Sequence, residues 1–362
     1  MEVIFVDWPP VKHKSNIRYG AHIRRYYAWI TLNEIVGKVI PFREKKGSIN
    51  WKALIKMFKK DSKIWVEYPC GGVAHFFVLL ASFIRFKKTL ILNVHDFTVE
   101  QQKDTYGKHL FLKKIRLKII EHLLINRANV IILPAPGVLD YFRQRKKQKV
   151  IIMVPGVGED ELFIPPLKKK KIKNKRTATY FGSIRRRDII HRIIELFTAL
   201  DDWELLLIGQ KEGAKIEEKE NVKYLGIVSH DKLQAILDDS DVILIPDVYI
   251  NEDHAIEKDY SERGIPIKLG YALKSCKPVI TTNLKGISEY VSMVGLEENV
   301  IYVKEWNLDS LKDALQRAQN LNIDAEKTIQ RLRPLAWEPR FRKVIEIVLD
   351  IDHRNYDEIE WI

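Results

Sequence analysis

Lys268 stands two residues after Pro266 in the stretch from Ser261 to Thr282, SERGIPIKLGYALKSCKPVITT. The stretch reads as a Pro-x-Lys turn, a short helix, a break at Lys277–Pro278 and a buried strand at Val279–Thr282. A helix N-terminus presents unpaired N–H groups and the positive end of the helix dipole, so it favours a phosphate. A lysine in the first turn adds a full charge. The chemistry suggested is therefore the holding of a phosphate or diphosphate. An ordinary strand–helix–strand unit with an exposed lysine would show the same stretch.

The elements that must position this lysine alternate along the whole chain. In the first half, apolar strands are expected at Val3–Val6, Lys63–Glu67, Thr89–Val94, Asn129–Leu133 and Val150–Val154. Helices are expected at Arg24–Ile35, Val73–Phe86 and Leu110–Asn126. The pattern restarts with strands at Thr177–Phe181, Trp203–Ile208, Val222–Tyr224 and Val242–Ile245, and helices at Ile189–Leu200 and Asp231–Leu237. A polar loop, Asp247–Gly264, is long enough for a lid or binding loop. The helix Leu308–Asn320 and a final helix over about Glu338–Ile351 close the chain. Apolar strands alternating with helices specify parallel sheets covered on both faces. The fold class is α/β with two Rossmann-like domains. The expected divisions are residues 1–167, a basic linker 168–176 (KKKKIKNKR), a second domain 177–335, and a C-terminal helix and tail, 336–362.

The chain has 362 residues, 46% hydrophobic and 30% charged, as in a globular protein with room for two cores. The longest apolar run, Val73–Phe86, contains His75 and is too short to span a bilayer. Asp7, Trp8 and two prolines interrupt the first apolar run, so no signal peptide is expected. Two distant cysteines, Cys70 and Cys276, make no metal pattern and suit a reduced, cytoplasmic setting. Charge is unevenly placed: residues 1–165 hold 29 lysines and arginines against 14 acids, whereas residues 166–362 hold 32 against 34. The basic half suggests an anionic partner, whether membrane surface, phosphorylated acceptor or nucleic acid; solubility alone would also explain it.

The Pro-x-Lys turn followed by Lys-Pro-Val-Ile resembles the donor-binding motif of GT-B glycosyltransferases that use nucleotide-sugars. Further segments extend the resemblance in the same order: VPGVGEDELFIP at 154–165, TATYFGSIRRR, WELLLIGQ, NVKYLGIV and LDDSDVILIP. LILNVHD in the first half and LAWEPRFRKVIEIV near the end add to it. The match is to the large retaining family that includes many cell-envelope mannosyl- and glucosyltransferases. It implies two facing Rossmann-like domains, with the last helix crossing back to the first. The nucleotide-sugar would sit on the second domain and the acceptor on the first, at the carboxyl ends of the strands. No metal or cofactor is expected, because basic side chains and helix ends neutralise the departing diphosphate; the lack of a clear Asp-x-Asp motif agrees.

Residue by residue, the resemblance makes Lys268 the diphosphate ligand, with Pro266 before it. Gly182 and Arg185, with Arg186 or Arg187 as alternatives in register, form the basic loop; a guanidinium suits bidentate phosphate contact. His95 matches a histidine close to the transferred sugar, able to bond a hydroxyl or handle a proton. If the enzyme inverts, Asp96 or Asp7 is placed to deprotonate the acceptor. Asn16 and Gly20 lie where the family brings backbone close to the diphosphate.

The sequence departs from the family at two glutamates eight positions apart. Arg263 and Tyr271 stand there, and a slip of one residue would put Glu262 in the first place. Tyr271 has one hydroxyl and cannot accept both hydrogen bonds of a ribose diol. Some inverting GT-B enzymes keep the lysine and replace that acid. The glycine before Lys-Pro-Val is Cys276, which reads as a packing exchange. The leading expectation is transfer of a sugar from a UDP- or GDP-sugar to a lipid-linked or cell-envelope glycan, at the inner membrane face. The helix Phe111–Leu124 suits docking there, and equally suits core packing with a solvated basic edge. The alternatives are a glucosyltransferase acting on nucleic acid and a non-catalytic nucleotide-sugar-binding subunit.

Overall fold

Short runs of valine, isoleucine and leucine fix the two sheets, because such residues are stiff at χ1 and pack well on a pleated surface. A computed structural model describes residues 2–7, 10, 12, 17, 20–45, 48–59, 62–69, 72–84, 89–95, 111–139, 148–164, 175–185, 189–212, 216, 218–246, 262, 264–350 and 359–362. The chain divides into two units. One comprises Met1–His13, Ile23–Val154 and Glu338–Ile362; the other comprises Lys14–His22 and Pro155–Trp337.

In chain order the elements leading to the first sheet are β1 (Glu2–Val6), α1 (Gly20–Val36), β2 (Val39–Pro41), α2 (Trp51–Met57), β3 (Ser62–Tyr68), α3 (Gly72–Ile84), β4 (Leu90–Val94), α4 (Phe111–Arg127), β5 (Val130–Leu133) and β6 (Lys149–Ile152). The second unit continues with β7 (Arg176–Phe181), β8 (Ile184–Arg185), α5 (Ile190–Phe197), β9 (Trp203–Ile208), β10 (Lys211–Glu212), β11 (Val222–Gly226), α6 (His230–Asp239) and β12 (Val242–Ile245). Then come α7 (Ile267–Lys274), β13 (Val279–Thr282), α8 (Lys285–Val294), β14 (Val300–Val303), α9 (Leu308–Asn320) and α10 (Ala325–Leu332). The chain ends with α11 (Trp337–Asp350) and β15 (Ile359–Trp361).

The first sheet has the order β15-β6-β5-β4-β3-β1-β2 and the second β11-β9-β7-β12-β13-β14, with β8 and β10 as a separate pair. Every pairing is parallel. Parallel strands are buried on both faces, so β4, β5, β12 and β13 are buried at every position. Polar caps set several helix starts. Asn50, Ser229, Asn307 and Asp324 each accept a hydrogen bond from an N–H of the following turn.

Residues 155–164 belong to the second unit, not to the first domain as the sequence suggested. The reason is local bonding. Tyr290 Oη donates to the Pro155 carbonyl at 3.0 Å, Trp337 N–H donates to the Val157 carbonyl at 2.9 Å, and buried Glu161 meets His230 Nε2 at 2.6 Å. The basic run at 168–174 lies outside the described residues. From Glu338 the chain belongs to the first unit. There Arg340 Nη1 donates to the Val154 carbonyl at 2.8 Å, and Lys63 Nζ holds the Val348 and Leu349 carbonyls at 2.7 and 3.0 Å.

Cys276 corrects a second expectation. Its φ is +54°, in the left-handed region. A side chain there costs about 1–2 kcal/mol that glycine avoids. The glycine expected at this position therefore answers a backbone requirement and not only packing.

Candidate functional site

Two polar groupings stand at the carboxyl ends of the strands, one in each unit. In the first unit the register sets the grouping. Val6 lies opposite Val66, and Glu67 lies opposite Asn93, so Asp7, Glu67 and Asn93 follow one another across β1, β3 and β4. Asn93 and His95 share a face of the chain because side chains alternate.

Glu67 is fully buried and is held from three directions. Trp65 Nε1 donates at 2.5 Å, Asn93 Nδ2 donates to both carboxylate oxygens at 3.1 and 2.9 Å, and His95 Nε2 contacts Oε2. Burial alone would raise its pKa, but the hydrogen bonds from His95, Asn93 and Trp65 outweigh that and hold it below the ordinary value. Burial pushes His95 down to about 4, against the upward pull of Glu67. His95 is thus neutral at physiological pH, its Nε2–H pointing at Glu67. Its buried Nδ1 has no hydrogen-bond partner among the described residues. That nitrogen carries a lone pair able to accept a hydrogen bond.

Two adjacent arginines of α1 brace the group. Arg24 donates to Asn93 Oδ1 at 2.7 Å and to the Val94 carbonyl at 3.3 Å. Arg25 pairs with buried Asp7 at 3.3 Å. Sequence reasoning named Asp7 and His95 but missed Glu67, Asn93, Arg24 and Arg25. A signal existed: Glu67 and Asn93 are lone polar residues inside the apolar runs KIWVEY and LILNV. A buried charge must be paired and hydrogen-bonded, so such a residue points to polar partners around it.

The histidine arrangement predicts a pH dependence. Between pH 6.5 and about 4 the unfolded chain accepts a proton that folded His95 refuses. His75, also buried, is lowered to about 4 by desolvation and by Arg43. The unfolded state then binds more protons, so stability is complete above pH 6.5 and falls as the pH drops towards 4. Urea midpoints measured across this range should decline. The decline should be shallower in His75→Gln and His95→Gln.

In the second unit Lys268 is the second residue of α7, whose N-cap is Pro266. Its side chain lies against the turn after β7. A Cβ built on Gly182 would come within 3.6 Å of Lys268 Cδ and 3.7 Å of Nζ. Nζ sits 5.0 Å from the Tyr180 ring centre, and Tyr180 Oη donates to the Ser183 carbonyl at 2.8 Å. The turns after β7 and β9 stack so closely that a Cβ on Gly209, at φ +138°, would meet the Gly182 oxygen at 1.8 Å. Only glycine fits there. Glu262 is exposed, and its carbonyl accepts from Gly286 N–H at 3.1 Å. Tyr271 is buried and edge-on to His230, with ring centres 5.5 Å apart. Gly20 opens α1. Arg185 lies in β8, and nothing further is described of its side chain. Asn16, Asp96, Arg186, Arg187, Arg263 and the loop residues 247–261 lie outside the described residues.

Residues 175–320 match the family described as Glycosyl transferases group 1. A search of curated proteins finds no match. Among solved structures the chain is similar to the sucrose-phosphate synthase of Thermosynechococcus elongatus, at 14% identity and a TM-score of 0.65, covering 96% of this chain and 98% of that one. It is similar to the Anabaena protein HepE in complex with UDP, at 15% identity and a TM-score of 0.60, covering 96% and 99%. A trehalose-6-phosphate protein from E. coli bound with UDP-2-fluoro glucose aligns at 9% identity and a TM-score of 0.55, covering 97% and 99%.

Proposed function

We propose that this chain, a glycosyltransferase of the GT-B fold, moves a sugar from a UDP- or GDP-sugar to a hydroxyl of a lipid-linked or cell-envelope glycan in the cytoplasm. The observation that carries the reading is Lys268 beside Gly182 at the start of α7, inside the region that matches the family. UDP is the favoured nucleotide. The Anabaena and E. coli structures hold UDP and UDP-2-fluoro glucose respectively, and both align along nearly the whole chain.

In the proposed reaction the bond from the anomeric carbon to the β-phosphate oxygen breaks, and the electron pair leaves with the diphosphate. Lys268 Nζ and the positive N-terminal end of α7 meet that growing negative charge, and the resemblance adds Arg185 of β8 to them. These basic groups take the part a metal ion plays elsewhere. The acceptor oxygen bonds to the anomeric carbon and gives up its proton. His95 Nδ1, directed by Glu67, accepts a hydrogen bond from a sugar hydroxyl. Asp7 or Asp96 takes the acceptor proton if configuration inverts, and the departing diphosphate oxygen takes it if configuration is retained.

The test is to incubate the full chain with UDP-, GDP- and ADP-sugars and follow release of the nucleoside diphosphate. Selective binding with slow sugar release supports the reading and identifies the donor. Tight binding without any turnover, even with glycan acceptors supplied, would make the chain a binding subunit. No binding of any nucleotide-sugar would overturn the donor site.

A further inference from the structure

Helix α3 leaves one side uncovered. Val73, Phe76, Leu80 and Phe83, at steps of three and four, are 52%, 58%, 37% and 43% exposed, while Ala74, Val78, Leu79 and Ala81 between them are buried. This is a continuous apolar stripe along the helix. Helix α4 packs against α3 and adds exposed Ile115 and Ile119, one turn apart, with exposed Lys118 between them. Arg127, the last residue of α4, lays its guanidinium 4.1 Å from the Phe83 ring centre. A clustered apolar surface of this kind marks a docking site.

Charge selects the occupant. Apart from buried His75, α3 has no titratable side chain. The sequence of α4 holds Lys113, Lys114, Arg116, Lys118 and Arg127, and Arg85, Lys87 and Lys88 follow α3 in the chain. The single acid of α4, Glu121, is buried and accepts from Tyr68 Oη at 2.7 Å. Among the described side chains, the two helices therefore present apolar groups and the positive charge of Lys118, with no exposed acid. A second copy of the chain would bring like charges together, which costs binding energy. A nucleic acid would use the charge but leave the apolar stripe in water. An anionic bilayer satisfies both, with acyl chains covering the stripe and headgroups meeting the lysines. Among the described residues no helix is long and apolar enough to cross a membrane.

We propose that α3 and α4 form a surface that docks this protein reversibly on anionic lipid. The proposal deepens the acceptor reading above and rests on it for its purpose, while its geometry is independent. The test is co-sedimentation of the full chain with vesicles of phosphatidylcholine alone or mixed with phosphatidylglycerol. Binding to the mixed vesicles should be about ten-fold or more stronger and should weaken with salt. The double variant Phe76→Ser/Ile119→Ser should lose about ten-fold or more, and Lys118→Glu should lose a smaller part. Unchanged thermal midpoints and UDP binding in these variants separate lost docking from misfolding. Equal binding to both vesicle types, unaltered binding by the double variant, or a solution dimer that the double variant splits would overturn the proposal. Docking that persists without any nucleoside diphosphate release would instead remove the transferase reading and leave the surface standing.

Discussion

Lys268→Ala should lower nucleotide-sugar turnover about 100- to 1,000-fold, the loss typical of removing one preorganised group from a developing charge. The lysine is half-buried, lies over the Tyr180 ring and sits beside the Gly182 turn, so its charge is less screened than that of a surface lysine. The side chain has no place in the core, so the variant should keep its stability within about 0.5 kcal/mol. Lys268→Arg should recover only part of the rate, because a planar fork does not replace a compact point charge. Initial rates of diphosphate release, with unfolding midpoints as a control, measure both effects. A rate in Lys268→Ala close to that of the parent would place the diphosphate elsewhere.

Glu67→Ala should destabilise the first unit by about 3–5 kcal/mol, because removing one partner of a buried charged network strands the others. Trp65 Nε1, Asn93 Nδ2 and His95 Nε2 would all lose their acceptor in a fully buried place. Glu67→Gln keeps the volume and an acceptor oxygen and should cost less. It also tests positioning. With His95 no longer held in one tautomer, the pH profile of turnover should change even where the folded fraction does not. Urea unfolding of the first unit gives the stability change, and a loss in Glu67→Ala below about 1 kcal/mol would contradict the network's role.

Much of this architecture was legible in the sequence, and the gaps have physical causes. Runs such as VIIL and VILI are apolar throughout, as strands covered on both faces must be, and they marked β5 and β12 directly. The bounds of α7 were legible because Pro266 precedes its start and the Lys277–Pro278 break follows its end. Strands β2 and β15 were not, since three residues carry too little periodicity; β15 forms only by pairing with β6. Residues 155–164 were misplaced because their partners, Tyr290, Trp337 and His230, are remote in sequence. The donor-side lysine was found through local motif chemistry. The Glu67–Asn93–His95 grouping was not, because it is made by strand register and by α1 arginines that pattern reading assigns to a solvated face.

Titration calorimetry of UDP into the full chain tests the central claim most directly. The account predicts one site per chain, with affinity markedly weakened in Lys268→Ala and unaffected in Phe76→Ser/Ile119→Ser. Absence of binding by UDP and by GDP, or binding that Lys268→Ala leaves unchanged, would contradict it.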